Sequence, residues 1–302
     1  MADGDSGAKG DGSAELTRRS SISLTYLPVG AELSPYITTC YHFRCDELEV
    51  HDVQPAAVGQ LTVFPYGKGF MRFRDGRSEP SHRVNVLTPF SVAAPFHMRG
   101  PFHALGAVLS PLGWASLTGL CAARHGNRLM DACDLWGDAA RDLGDVVCDR
   151  YTAAGADPQE LTRLIGAFIA ERLRPIAPEH AQLIQATNAW LSTSLNPPVA
   201  ALYDALPYSR RQVQRLVERF FGLPPRALVR KYRALRAAAW LSLPQLSEEA
   251  EAQLSEAFYD QSHLIREIHL FVGRTPARLG DAATPYLTEL LDLRNFREIS
   301  AI

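Results

Sequence analysis

Apolar and polar positions alternate in short runs between residues 22 and 110, and turn residues separate the runs. A period of two is typical of β-strands with one buried face. The alternation predicts strands over 22–27, 36–44, 58–66, 70–73, 84–87 and 102–109. Asp75-Gly76 predicts a hairpin turn, because glycine readily adopts the positive φ that tight hairpins need. Six or more strands without intervening helices predict an antiparallel barrel or sandwich.

From Pro111 onward the apolar spacing changes to three and four, which predicts helices to the end of the chain. The predicted helices are 112–124, 134–151, 158–173, 179–195, 199–206, 210–221, 226–243, 247–258 and 261–271. In 158–173 the apolar stripe is wide enough either to pack on the chain's own sheet or to form a dimer seam. In 226–243, the apolar residues up to and including Leu243 are spaced for burial.

The two patterns together predict an α+β protein with an antiparallel β-barrel or sandwich, trailing helices and then an all-α domain. Pro175 and Pro178 place the boundary between the two parts near residue 177. We therefore expect a disordered tail over 1–20, because it is polar and rich in glycine. A β-domain with its helices follows over 21–177, then an α-domain over 178–284 and an extension over 285–302.

The helix predicted at 210–221 has two distinct faces. Ser209 and Gln212 match a capping box, in which each side chain bonds to the other residue's backbone N–H. Four apolar residues point inward, whereas Arg210, Arg211, Gln214 and Arg215 remain outside near the N-terminal end. Arginine and glutamine suit bidentate contacts with guanine and adenine, so this pattern predicts a recognition helix of a helix-turn-helix unit.

A second helix-turn-helix follows with the same order of parts. The helix at 261–271 turns Leu264, Ile268 and Phe271 inward and leaves polar residues outside, and a Gly-x-x-Pro sequence closes each unit. An internal repeat is more specific than either unit alone.

The charge distribution supports a polyanion partner. The formal net charge of the chain is −2, but residues 205–240 hold nine basic residues and one acid, 9 − 1 = +8, which leaves −2 − 8 = −10 for the remainder. A basic segment on an acidic body is typical of a nucleic-acid site, although a solvated arginine-rich helix face has the same composition.

These residues resemble the AraC/XylS family of bacterial transcription regulators. The resemblance is carried by SRRQVQRL at 209–216, GLPP at 222–225, FYDQSHLIRE at 258–267 and VGRTPARL at 272–279. It implies two helix-turn-helix units joined by a long helix, reading successive turns of promoter DNA about 34 Å apart. It also implies a cupin-like sensor domain for a small effector, possible pairing of two copies, and possible contact with RNA polymerase by an activator.

The predicted function is sequence-specific, effector-responsive transcription regulation through double-stranded DNA. We expect both units to read bases in adjacent grooves, or one unit to read bases while the other mostly contacts phosphates. The predicted DNA-binding residues are Ser209, Arg210, Arg211, Gln212, Gln214, Arg215, Arg219, Gln261, Ser262, His263 and Arg266.

The alternative function is a cupin-like enzyme or ligand-binding protein whose basic helices bind a protein partner. His82, His97 and His103 could hold a metal in such an enzyme, but no His-x-His pair occurs and no glutamate follows within fifty residues. We therefore expect no catalytic residue, no metal, no cofactor and no enzymatic activity. The ligand-binding residues stay unknown, since the six aromatic residues that could line a pocket could equally form the sheet core: Phe64, Tyr66, Phe70, Phe73, Phe90 and Phe96.

The remaining sequence features concern the compartment. Five scattered cysteines without a CxxC pair indicate neither a disulfide framework nor a zinc site. No apolar run approaches the length of a membrane span, and the first residues do not match a signal peptide. We expect a cytoplasmic protein.

Overall fold

The computed structural model describes residues 22–153, 155–243, 245–279, 286–287 and 291. The predicted tail at 1–20 lies outside the described residues, and so does most of the predicted extension at 285–302. Among the described residues, no helix combines the length and the apolar character that crossing a membrane requires.

The N-terminal part is an antiparallel sheet, as the alternation predicts. Its hydrogen-bonded order is β1-β2-β7-β4-β6-β8, with β3 paired to β7 and β5 paired to β4, and this path is not closed into a ring. The long strand β7 holds the sheet together, since its first half pairs with β3 and its second half with β2. The strands are β1 (Ile22–Leu27), β2 (Ile37–Cys45), β3 (Glu49–Gln54), β4 (Gln60–Arg72), β5 (Ser78–Pro80), β6 (Val84–Leu87), β7 (Ala94–Leu109) and β8 (Leu129–Asp131).

The strand predictions were correct in type but incomplete. The two runs 58–66 and 70–73 form one strand, β4, whose pairing with β7 shifts register on either side of Tyr66. Strand β3 was not predicted because Asp52 and Gln54 interrupt its apolar face. Both are buried: the Asp52 carboxylate accepts a hydrogen bond from Arg274 at 3.2 Å, and the Gln54 carboxamide accepts one from the Tyr286 hydroxyl at 2.8 Å.

The helices follow the predicted order, most of them with bounds that differ by a few residues. Two predicted helices are each divided, at Gly119 and at Gly137, which both have positive φ. Strand β8 lies between the resulting pieces, so the prediction of helices alone after Pro111 was wrong. The helices are α1 (Pro111–Thr118), α2 (Ala122–His125), α3 (Cys133–Trp136), α4 (Asp138–Thr152), α5 (Pro158–Ala170), α6 (Pro178–Leu191), α7 (Val199–Asp204), α8 (Arg210–Phe221), α9 (Pro225–Leu241), α10 (Glu248–Ala257) and α11 (Gln261–Val272).

The apolar stripe of α5 packs on the chain's own sheet. Leu161, Ile165, Phe168 and Ile169 are buried in one core with residues of β2, β4 and β7. These side chains are therefore not available for the alternative dimer seam.

The helical part docks directly on the sheet part. The backbone N–H groups of Ala56 and Ala93 donate to the carbonyls of Phe271 (2.7 Å) and Leu270 (3.1 Å) in α11. From α9, the buried Lys231 ammonium donates to the carbonyl of Ala57 at 3.1 Å and to that of Phe90 at 3.0 Å. The two parts thus share an interface that includes both α9 and α11, while the domain boundary near residue 177 stays a prediction.

Candidate DNA-binding interface

Helix α8 begins with the predicted capping box. The Gln212 N–H donates to the Ser209 hydroxyl oxygen at 3.4 Å, and the Ser209 N–H donates to the Gln212 side-chain oxygen at 3.0 Å. Because two of the otherwise unpaired N–H groups are satisfied, the first turn of α8 is fixed where base contacts would be made.

The two faces of α8 agree with the prediction. Val213, Leu216, Val217 and Phe220 are buried, and the polar side chains of the first two turns are exposed. Tyr203 of α7 supports that polar row. Its hydroxyl accepts a hydrogen bond from Gln214 at 3.1 Å, and its ring lies 5.7 Å from the Arg210 guanidinium.

The C-terminal half of α8 lies beside the sheet domain. Arg215, Leu216 and Arg219 line a surface crevice together with Cys121, His125 and other residues of the α1–α2 region. The residues of α8 that line this crevice begin at Arg215. The first turn of α8 is therefore the part farthest along the helix from this contact.

The second unit repeats the arrangement on α11. Its N-cap residue Asp260 accepts a hydrogen bond from the His263 N–H at 2.7 Å, and Gln261, Ser262 and Arg266 are exposed. The His263 ring faces Glu267, with Nε2 3.0 Å from the carboxylate. The turns before α8 and α11 contain no glycine, and among the described residues Asn127 is the one non-glycine residue with a positive φ. Neither turn therefore uses the left-handed conformation.

Sequence reasoning missed Tyr259, which precedes the N-cap of α11. Its side chain is 94% exposed, the highest exposure of the large apolar residues described. In the sequence, the available signal was an aromatic residue directly before a polar helix N-terminus, although most aromatic residues are buried.

Three of the nine basic residues in 205–240 are structural. Lys231, Arg233 and Arg236 are buried, and Arg236 donates to the carbonyls of Leu191 (2.6 Å) and Ser194 (3.1 Å). Burial lowers the pKa of Arg236 to about 10. These three cations serve the fold, so the basic segment presents less positive charge at the surface than the +8 of its sequence.

Glu267 of α11 is the centre of a buried ion cluster. Its carboxylate is 1% exposed and accepts hydrogen bonds from Arg230 at 2.6 Å and from Arg233 at 2.6 and 3.0 Å. Arg233 also donates to the Asn196 side chain and to the Ala257 carbonyl. Since Arg230 and Arg233 belong to α9, the cluster fixes the second recognition helix on the helix that links the two units.

A cavity of about 100 Å³ lies within the curl of the sheet, against α9. Its lining is mainly apolar and includes Tyr41, Phe43 and Phe64 from the strands and Tyr232 and Leu235 from α9. Of the six aromatic residues considered from the sequence, Phe64 lines this cavity. Phe73, Phe90 and Phe96 belong to the core instead.

The three histidines considered as metal ligands lie apart. His82 faces Asp131 at 3.2 Å, and His103 faces Asp46 at 3.0 Å and Tyr151 at 2.8 Å. His97 stacks instead on His51, which the sequence did not single out. The interior metal site of a cupin-like enzyme is thus not formed by this trio.

The fold and the interface define a class of protein: an antiparallel sheet domain followed by two helix-turn-helix units. Residues 202–281 match the family model described as a helix-turn-helix domain, of the AraC type. Over these residues the chain carries a helix-turn-helix domain of the AraC type, the kind of domain with which transcriptional regulators bind DNA. A comparison with proteins of established function found no matching sequence.

Solved structures of AraC-like regulators resemble the chain in three dimensions. ToxT from Vibrio cholerae has 10% identity over 87% of this chain and 98% of its own, with a TM-score of 0.46. ToxT with a bound unsaturated fatty acid has 10% identity over 86% and 95%, with a TM-score of 0.43. The AraC-like transcriptional activator CuxR has 13% identity over 72% and 86%, with a TM-score of 0.32.

Proposed function

We propose that α8 and α11 enter two successive major-groove segments of promoter DNA. One groove receives Arg210, Arg211, Gln214 and Arg215, and the next receives Gln261, Ser262, His263 and Arg266. Ser209, Gln212 and Arg219 contact the flanking backbone, and Tyr259 adds an aromatic contact beside α11. Phosphate contacts set the register, whereas Arg211 and Gln214 read base edges.

One observation carries the proposal: the polar row of α8 is exposed while each of its apolar residues is buried. The capping box and Tyr203 hold that row in place, so little side-chain freedom is lost on binding. The Glu267 cluster holds α11 on α9, which keeps the two helices in one fixed relation.

The experiment begins with selection of DNA sites by the full chain, followed by affinity measurements on the selected site and on random DNA. We expect two short blocks about ten base pairs apart. Arg211→Ala and Gln214→Ala should each weaken binding to the selected site by about 1–3 kcal/mol and should weaken binding to random DNA less.

Arg226→Ala is the matched control, because Arg226 is an exposed arginine of the same basic segment on α9. This substitution should weaken binding to the selected site and to random DNA by a similar small factor. Equal losses on selected and random DNA in Arg211→Ala and Gln214→Ala would assign those side chains to phosphates instead.

We further propose that the cavity binds a small apolar effector. An apolar cavity of about 150 Å³ accepts one benzene molecule, so this cavity of about 100 Å³ suits a group smaller than benzene unless α9 shifts. Because α9 forms one wall and carries both units, an occupant can favour one placement of α9 over another. Apolar ligands should raise the melting temperature of the wild type, and Ala104→Leu, which fills the cavity, should remove that increase. A ligand that stabilises both proteins equally binds elsewhere.

This regulator acts by binding and not by catalysis, with RNA polymerase as the partner of an activating complex. We also propose that two copies of the chain pair on the DNA. Sedimentation of the complex with one selected site tests it, since one or two copies per site give clearly different masses.

A further inference from the structure

Glu49, His51 and His97 form a cluster on the outer face of the sheet, away from the cavity. His51 on β3 and His97 on β7 are direct partners across the antiparallel pair, and Glu49 is two residues before His51 on the same face. The alternate residues of β3, Val50, Asp52 and Gln54, are buried on the other face. Three side chains with metal-binding atoms are thus brought to one place by strand register.

The distances suit one ion. All three ligand atoms lie within 4.8 Å of one another. The Glu49 carboxylate lies 3.4 Å from His51 Nε2 and 3.8 Å from His97 Nε2. Ligand atoms of a tetrahedral zinc site lie about 3.3 Å apart, so closing the second distance requires a shift of about half an ångström. The two stacked rings, 9° from parallel, must also turn so that both nitrogen lone pairs point at the ion.

One nitrogen of the His97 ring lacks a hydrogen-bond partner. Its side chain is 19% exposed, and Nε2 is buried without a hydrogen-bond partner. The ring is enclosed by the His51 ring, stacked at 4.0 Å, and by the Phe70 ring, edge-on at 5.4 Å. A buried polar atom without a partner costs free energy, and a metal ion at Nε2 would remove that cost.

Burial lowers the pKa of His97, and the neighbouring His51 lowers it further. The neutral imidazole is the form that binds metals. Arg72 and Arg99 lie close enough to contribute to the same shift. Their positive charges oppose any cation, so the preference comes from the ligands: Ca²⁺ and Mg²⁺ depend on several oxygen ligands, whereas imidazole suits zinc, copper and nickel.

We propose that Glu49, His51 and His97 bind one divalent transition-metal ion, with Zn²⁺ as the representative ion, on the outer face of the sheet. Three protein ligands leave a coordination position open to water or to a further group. The site is next to the interdomain contact: Val53 follows His51 on the same face, and it packs against the backbone of Gly273 at the end of α11.

The test is calorimetric titration of Zn²⁺ into the metal-free full chain. We expect one site per chain, and we expect His51→Ala, His97→Ala and Glu49→Gln to weaken it by about 100-fold or more, since loss of even an outer-shell partner costs up to about that factor. His82→Ala is the matched control, because His82 faces Asp131 on another part of the sheet and should leave the affinity unchanged. Equal affinity in all four variants would overturn the proposal.

A second measurement needs no variant. Cu²⁺ bound to the wild type should give an electron paramagnetic resonance spectrum with hyperfine splitting from two imidazole nitrogens. A spectrum with one nitrogen or none, at one equivalent of copper, would contradict the His51–His97 pair even if the substituted chains failed to fold.

Discussion

Individual buried charges decide how the two helix-turn-helix units are held. Lys231, Arg233 and Arg236 share one helix, and each meets carbonyl or carboxylate oxygens at short distance. Removing one partner of such a group is costly, because the other is left buried without compensation. In the sequence these residues count toward the basic segment, and in the fold they are structural.

At this scale we predict that Glu267→Ala lowers the free energy of unfolding by about 3–5 kcal/mol, because Arg233 loses its buried carboxylate partner. Denaturant unfolding of the full chain measures the change. Glu256→Ala, at an exposed position of α10, is the control and should change stability by about 0.5 kcal/mol or less. Similar losses in both variants would show that the cluster contributes little.

A second residue-scale prediction concerns pH. His42 lies in a hydrogen-bonded chain in which its Nε2 is 2.7 Å from the Tyr151 hydroxyl, and that hydroxyl is 2.8 Å from His103. Burial, together with the smaller effects of the neighbouring His103 and Arg44, lowers the pKa of His42 to about 4. As the pH decreases, His42 therefore takes up a proton in the unfolded chain before it does so in the folded chain. The free energy of unfolding should fall between about pH 6.5 and about pH 4.

The measurement is the unfolding free energy across that pH range, for the wild type and for His42→Gln. Glutamine cannot titrate, so the slope of stability against pH should become smaller in the variant. An unchanged slope would assign the pH dependence to other groups.

Among the elements, the helices with strong local signals were predicted best. Helix α8 has the predicted bounds, since its cap, its two-faced pattern and its terminal Gly222 all act within the helix itself. Helix α9 ends at Leu241, and Leu243 is 50% exposed, so its predicted burial was wrong. In the sequence, the apolar spacing continues to Leu243, although the helix ends at Leu241 and Leu243 is not packed against the core.

The cap of α11 gives the element-scale prediction. Asp260→Ala should lower the free energy of unfolding by about 1 kcal/mol, because the His263 N–H loses its acceptor. Asp260→Asn keeps an acceptor and should lower it much less. A thermal unfolding series separates the two, and equal losses would mean that the charge of Asp260, not its hydrogen bond, stabilises α11.

At the scale of the whole molecule, two helix C-caps can report on domain docking. Gly222 and Gly273 end α8 and α11 with φ of +83° and +86°. A Cβ on Gly222 would lie 3.6 Å from its nearest neighbour, whereas on Gly273 it would lie 2.3 Å from the side chain of Val53 in β3. The same substitution therefore adds strain alone at one site and an interdomain clash at the other.

Gly222→Ala should destabilise the chain by about 1 kcal/mol through backbone strain. Gly273→Ala should destabilise it more and should also loosen the second unit from the sheet. Hydrogen exchange of the β3 and α11 amides measures that loosening. If both variants show the same exchange rates, Val53 adapts and the contact does not control docking.

The sequence by itself determined what short-range physics dictates: the antiparallel sheet before the helices, the capping box, the exposed polar row of α8 and the repeated unit. Each depends on residues a few positions apart, so spacing and residue type suffice. The tertiary structure alone decided the rest, because it depends on partners far apart in the chain. Asp52 belongs in a strand because Arg274 meets it, and three cations of α9 leave the surface because distant oxygens accept their hydrogen bonds. His51 and His97 form a metal site only because strand register places them side by side.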